Sequence, residues 1–211
     1  MISRTGYGPC RFMPDDDNAL LKRWREGDKA SGDVLFRRHF RPVRRFFRNK
    51  INEDEVDDLI QRTFMGCVEG KDRFRGEASF RTYLFATARK QLYQFLRTRG
   101  RMMRKVDPEL GVTSVAALGM TPSSVAAARQ EHDILLQALQ RVPVEQQTIL
   151  ELSYWEGLTG PQIAAIFDIS PVTARTRLFR ARAALQEVIE GLIHPDASFE
   201  VDAVAATLPK R

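Results

Sequence analysis

Thr173, Arg175, Thr176, Arg177 and Arg180 fall within eight consecutive positions of the stretch FDISPVTARTRLFR. These residue types suit the reading of DNA. An arginine fork can pair with guanine edges or with phosphates, and a threonine methyl can meet the methyl of thymine. At helical spacing Val172, Thr173, Thr176 and Arg180 share one side, flanked by Arg175 and Arg177. A second set, Tyr83, Ala86, Lys90, Tyr93 and Arg97, recurs at i, i+3, i+7, i+10 and i+14 of the segment ASFRTYLFATARKQLYQFLRTRGR. Tyrosines interleaved with cations can stack on unpaired bases and hold phosphates, worth about 1–3 kcal/mol per stacked base. The preceding FRGEAS, with Gly76, Glu77, Ala78 and Ser79, offers a small polar loop that could receive an extruded base. Both tyrosines could equally pack against a neighbouring helix, and a basic helix face can simply be solvated.

A third cluster, Glu53, Asp54, Glu55, Asp57 and Asp58, could suggest a metal or a catalytic carboxylate pair. These acids stand in the first turns of an expected helix, where the dipole favours them, and no histidine accompanies them. Cys10 and Cys67 form no CxxC and no ligand spacing with His39, His132 or His194. The sequence has no P-loop, nucleophile elbow or HExxH. We therefore expect no cofactor, no metal site and no enzyme activity, and Cys67 reads as a small buried side chain.

The elements that must position these residues are helices. GLTGPQIAAIF places Thr159 and Gln162 in capping-box register, with Leu158 and Ile163 as a hydrophobic staple. Asp168 stands at the turn, where a left-handed residue is needed and aspartate is among the few that tolerate one. Ser170 is a natural N-cap and Pro171 suits the first helical position. Ala174, Leu178, Ala181, Leu185 and Val188 then form the inward stripe, so that 160–188 reads as a helix-turn-helix. In such motifs the N-terminal part of the second helix enters the major groove.

In the other half, Phe80, Leu84, Ala88, Leu92 and Phe95 make one apolar side of a helix over about 80–99. NEDEVDDLIQRTFMGCVEG starts with Asn52 as N-cap and Glu55 in capping-box register, with Val56, Ile60, Thr63 and Cys67 inward. Asp57, Asp58, Gln61, Arg62 and Met65 are then left on a protein-binding surface. VLFRRHFRPVRRFFRNKI, within a basic helical block at 18–50, sets Phe36, Phe40, Val43, Phe46 and Phe47 against Arg37, Arg38, Arg41, Arg44, Arg45, Arg48 and Lys50. A like-charged face this dense calls for a polyanion or an acidic protein surface to offset it.

The whole chain of 211 residues carries a net charge of +6. Nucleic acid is therefore the expected partner rather than a membrane, and no apolar run approaches a membrane span. The fold class expected is all-α: two small helical domains joined by a flexible linker, the C-terminal one containing the helix-turn-helix. The boundaries are a tail at 1–17, a first domain at 18–100, a linker at 101–124, a second domain at 125–193 and a tail at 194–211.

DDLIQRTF, FRGEASFRTYLFATARKQLYQFLR and ILELSYWEGLTGPQIAAIFDISPVTARTRLFRARAAL, in this order and spacing, resemble the two core segments of extracytoplasmic-function sigma factors. These are the smallest sigma subunits of bacterial RNA polymerase. The resemblance covers about 20–100 and 125–193. It implies that Asp58, Gln61 and Phe64 carry binding to the core polymerase. It implies that Gly76, Glu77, Ala78 and Ser79 capture a flipped base of the −10 promoter element, and that Tyr83, Lys90, Tyr93 and Arg97 grip the melting strand. Thr173, Arg175, Thr176, Arg177 and Arg180 would read the −35 element. The implied partners are core RNA polymerase, promoter DNA and the anti-sigma factor that often holds family members; the implied location is the cytoplasm.

Departures from the family pattern are Arg62 for a frequent Glu, Lys90 for Asn, Gln94-Phe95 for Asp-His, and Asp168 for the turn Gly. From the residues alone, a conventional helix-turn-helix regulator with a partner-sensing first domain is the competing reading.

Overall fold

A computed structural model describes residues 14–73, 78–103, 114 and 130–193. The first domain is built from α1 (Pro14–Arg25), α2 (Lys29–Arg48), α3 (Glu53–Gly70), a single 3-10 turn at Lys71–Arg73, and α4 (Phe80–Met103). The second contains α5 (Gln130–Arg141), α6 (Val144–Tyr154), α7 (Gly160–Phe167) and α8 (Pro171–Ile193). Among the described residues only an isolated bridge between Ser114 and Pro143 departs from helix and turn.

The basic block expected as one unit at 18–50 is two helices. Gly27, at φ +106°, turns the chain, and Asp28 restarts it by accepting from the amides of Ala30 and Ser31 at 3.0 and 3.3 Å. The expected tail at 1–17 also ends earlier, because α1 begins at Pro14. Asp17 is buried and ties α1 to α2, accepting from Arg38 and lying 2.7 Å from His39 Nε2. Close approach of these helices depends on Gly32, where a Cβ would lie 2.6–2.8 Å from the Trp24 indole.

Leu35, Val43, Phe46 and Phe47 of α2 pack with Val56, Leu59, Ile60 and Cys67 of α3 and with Phe80, Leu84, Phe85, Ala88 and Leu92 of α4. Phe40, expected on this buried side, is instead 41% exposed. Burial pushes the Cys67 thiol up to about 12, so it remains a neutral core side chain. Asn52 does occupy the N-cap of α3, accepting the Glu55 amide through its backbone carbonyl at 3.1 Å. The Glu55 carboxylate turns instead to Arg99 of α4.

In the second domain the Gln162 side chain accepts from the Thr159 amide at 2.8 Å, and Leu158 and Ile163 are buried beside it. Asp168 ends α7 at φ 54°, ψ 51°, the left-handed conformation a sharp turn requires. Ser170 Oγ accepts the Thr173 amide at 3.1 Å and starts α8. Ala174 and Ala181, at 2% and 0% exposed, let α8 approach the other helices closely.

The two domains pack against each other. α4 lies along α7, and the end of α2 meets α6. Of the linker placed at 101–124, residues 101–103 continue α4; apart from Ser114, the rest lies outside the described residues.

Candidate nucleic-acid interface

The N-terminal half of α8 displays Val172, Thr173, Arg175, Thr176, Phe179 and Arg180, all exposed. Two threonines have committed hydroxyls. Thr173 Oγ1 lies 2.8 Å from Ser170 Oγ in the cap, and Thr176 donates to the Val172 carbonyl at 3.1 Å. Their methyls are what remain for a base edge. Arg177 is different: it is half-buried and paired with Glu145 at the start of α6. Phe179, 70% exposed, escaped the sequence reading. The signal was present, since an aromatic one turn beyond Thr176 sits on the cationic side rather than on the apolar stripe.

On the aromatic face of α4 the spacing left two readings, stacking on bases or packing on a neighbouring helix, and in the structure both tyrosines are partly packed away. Lys90 and Arg97 are exposed, but Tyr83 folds back on α3, its hydroxyl donating to the Gly66 carbonyl at 3.4 Å and its ring covering Gly70. Tyr93 is half-buried under the second domain, with the Arg89 guanidinium 4.7 Å from its ring centroid. That guanidinium also lies 4.4 Å from the Phe167 ring of α7. Burial first, and then the Glu145 carboxylate, push the Tyr93 hydroxyl up to about 12. In the loop before α4, Gly76 and Glu77 lie outside the described residues. Ala78 and Ser79 are partly buried, and Ser79 accepts the Thr82 amide at 3.2 Å as a helix cap.

A separate surface lies between α2 and α3, an open apolar groove of about 430 Å³ walled by Phe36, Phe40, Ile60, Phe64, Met65 and Val68. Gln61 borders it, while Asp58 is engaged by Arg62 on the next turn, Nε to Oδ1 3.0 Å. Phe40 and Val68 are groove residues the sequence reading did not select.

Residues 35–102 match the family model "Sigma-70 region 2", and 132–185 match "Sigma-70, region 4". The chain is 28% identical over 185 residues to the ECF RNA polymerase sigma-E factor of Haemophilus influenzae, covering 85% of this chain and 96% of that protein. It is 26% identical over 183 residues to the sigma-E factor of Escherichia coli strain K12, covering 84% and 96%. The chain belongs to the extracytoplasmic-function sigma factors. Two solved structures are similar to it. One is CnrH in complex with the cytosolic domain of CnrY, with TM-score 0.62 and 21% identity, covering 84% of this chain and 99% of that one. The other is the sigma factor RpoE of Bartonella quintana in complex with the anti-sigma factor NepR, with TM-score 0.55 and 25% identity, covering 71% and 90%.

With the match to region 2, the competing reading of a regulator with a partner-sensing first domain falls away. The match to region 2 runs from residue 35 in α2 into α4, and the match to region 4 runs from residue 132 in α5 to residue 185 in α8. Sigma factors are DNA-recognition subunits of RNA polymerase and carry no catalytic step of their own. Among the described residues no group of acids, histidines and cysteines could hold a metal, and no helix is long and apolar enough to cross a membrane.

The basic run of α2 finds much of its counter-charge inside the chain. Arg44 pairs with Glu53 and Asp57, Arg48 with Glu53, Arg45 with Glu156 and Lys50 with Glu151. The acidic protein surface inferred from its density is thus partly the factor's own, and Glu53 and Asp57 of the acidic cluster are part of it.

Proposed function

We propose that this sigma factor binds core RNA polymerase through the α2–α3 groove, grips the −10 element along α4 and reads the −35 element with α8. Region 2 is taken as 18–100, the linker as 101–124 and region 4 as 125–193. The observation that carries the reading is the α8 face, where exposed arginines and threonine methyls stand at the N-terminal end of the second helix of a helix-turn-helix. Arg175 and Arg180 pair with base edges or phosphates, Thr173 and Thr176 offer methyls, and Phe179 adds an apolar contact.

In region 2, Gln61, Phe64 and Asp58 meet the polymerase, with Phe40 and Met65 as the apolar part of that contact. Gly76, Glu77, Ala78 and Ser79 accept an extruded base, and Lys90 and Arg97 hold phosphates beside it. The factor acts in the cytoplasm without a cofactor or catalytic activity. RpoE, at 25% identity, was solved with an anti-sigma factor, which supports an inhibitory partner of that kind here.

The test is binding of the purified chain to bacterial core polymerase, followed by transcription from a random promoter library. Tight binding and recovery of a two-part promoter are the expected result. Gln61→Ala should weaken core binding several-fold and leave duplex DNA binding unchanged. Retained duplex binding by the wild-type chain with no affinity for core would sink the proposal.

A further inference from the structure

The family match to region 2 begins at residue 35, inside α2, and so assigns nothing to α1, Pro14–Arg25. Much of α1 is ordinary core, since Leu20, Leu21 and Trp24 are buried. Asp17 and Asn18 stand apart, because both lead to the start of α4. Asp17 is buried, lies 2.7 Å from His39 Nε2 and accepts from Arg38. The His39 ring, with no exposed area, lies 5.5 Å from the Phe80 ring of α4, centroid to centroid, tilted by 56°. Asn18 Oδ1 accepts the backbone amide of Phe80 itself at 3.4 Å, across 62 positions of the chain.

The first amides of a helix have no partner within it and need one from elsewhere. At α4 they find partners on two sides. Ser79 Oγ accepts the Thr82 amide at 3.2 Å, a cap from the adjacent loop, and Asn18 takes the Phe80 amide, a cap from another helix. The Phe80 amide nitrogen lies in the same planar peptide as the Ser79 carbonyl, and that carbonyl accepts the Tyr83 amide at 3.1 Å. Holding the Phe80 amide therefore fixes the last residue before α4 as well as the helix. The Phe80 side chain, fully buried, packs independently against His39. Two consecutive residues of α1 thus bear on both the backbone and the ring at the point where Ala78 and Ser79 give way to α4.

We propose that Asn18 is a positioning residue for −10 recognition. With the Asp17–His39 pair set against the Phe80 ring, it holds Ala78, Ser79 and the first turn of α4 in place to receive an extruded base. The inference rests on the −10 assignment above and adds to it residues that act through α4 rather than on DNA. Unstacking a base costs free energy that its capture must offset, and a receiver that has to be ordered first offsets less. Precise placement of such a receiver needs supporting hydrogen bonds and packing behind it. Asn18 suits a test because it is exposed and fills no core space, so removing its amide leaves the packing of α1 intact.

The experiment uses the full chain with core polymerase on a promoter recovered from the random library, with 2-aminopurine placed at each −10 position in turn. Its fluorescence rises when the base leaves the stack. Asn18→Ala should lower that rise and weaken binding of the single-stranded −10 oligonucleotide several-fold. Affinity for core polymerase and for the −35 duplex should stay at the wild-type level. Asn18→Asp keeps the acceptor oxygen but would repel a phosphate, and it should restore both −10 readings. Failure to restore them would make Asn18 a direct DNA contact and overturn the positioning role. Equal −10 readings from Asn18→Ala and wild type, or a loss shared equally by core and −35 binding, would overturn it as well. If the wild-type chain with core extrudes no base at any −10 position, the −10 assignment fails and the inference falls with it.

Discussion

Arg175 and Arg177 are two positions apart on α8, yet their surroundings assign them different work. Arg175 is exposed and ready for a base edge or a phosphate, whereas Arg177 is held by Glu145. That pair is 41% and 38% exposed, so it is worth no more than about 0–1 kcal/mol and yields readily to DNA. Arg175→Ala should weaken promoter binding by about 1–3 kcal/mol and relax sequence choice at one position. Competition binding with specific and random duplexes checks this. Equal loss on both, with the salt slope reduced by about 1, would reassign Arg175 to a phosphate. Under the proposed −35 assignment, the backbone narrows the chemistry of Thr176: with its hydroxyl donating to the Val172 carbonyl, it presents a methyl, the group suited to thymine.

At the scale of elements, what the sequence discloses is what neighbours in the chain decide. Thr159 with Gln162, Asp168 and Ser170 are local signals, and each stands in the structure where its chemistry places it. The all-α class and the helix-turn-helix were legible for that reason. Partners distant in sequence were not. Asp17 finds His39 across 22 positions, Lys50 finds Glu151 across 101, and Arg45 finds Glu156 across 111. Without those partners the basic run of α2 called for a polyanion or an acidic protein surface, and the spacing alone left Tyr83 and Tyr93 either stacked on bases or packed on a helix.

The α1–α2 clamp has a consequence in acid. Burial pushes the Asp17 carboxyl up, but the hydrogen bond and charge of His39, together with Arg38, outweigh it and hold the group below its ordinary value of 3.8. A depressed folded-state pKa contributes stability that is present above 3.8 and lost as pH falls through the folded value. Asp17→Asn should therefore cost about 1–3 kcal/mol at neutral pH, where it leaves buried donors poorly satisfied. The gap to wild type should narrow as pH falls below 3.8, measured by urea unfolding across pH 2–7. A constant gap would show that Asp17 acts by packing alone.

For the whole molecule, regions 2 and 4 share one apolar core and bury the Lys50–Glu151 pair between them, so separating the two to engage a promoter must break both. Burying Lys50 and Glu151 removes both from water, and that cost consumes most of their mutual attraction. Burial accordingly pushes the Lys50 ammonium down and the Glu151 carboxyl up, with each partner only partly reversing the shift on the other. Replacing the pair by apolar side chains of similar size, Lys50→Met with Glu151→Leu, should stabilise closure by about 1–4 kcal/mol, while Gln147 keeps its bond to the Asn49 carbonyl. A shift of about 1.4 kcal/mol already lowers the open fraction tenfold when that fraction is small, and apparent promoter affinity falls with it. The double variant should thus remain compact, melt no earlier than wild type, and need at least several-fold more protein to reach half-maximal transcription with core polymerase. Transcription titrations beside scattering curves make the comparison. If the variant were fully active yet no more compact than wild type, closure would not limit initiation, and the buried charges would serve only to fix the register of the two regions.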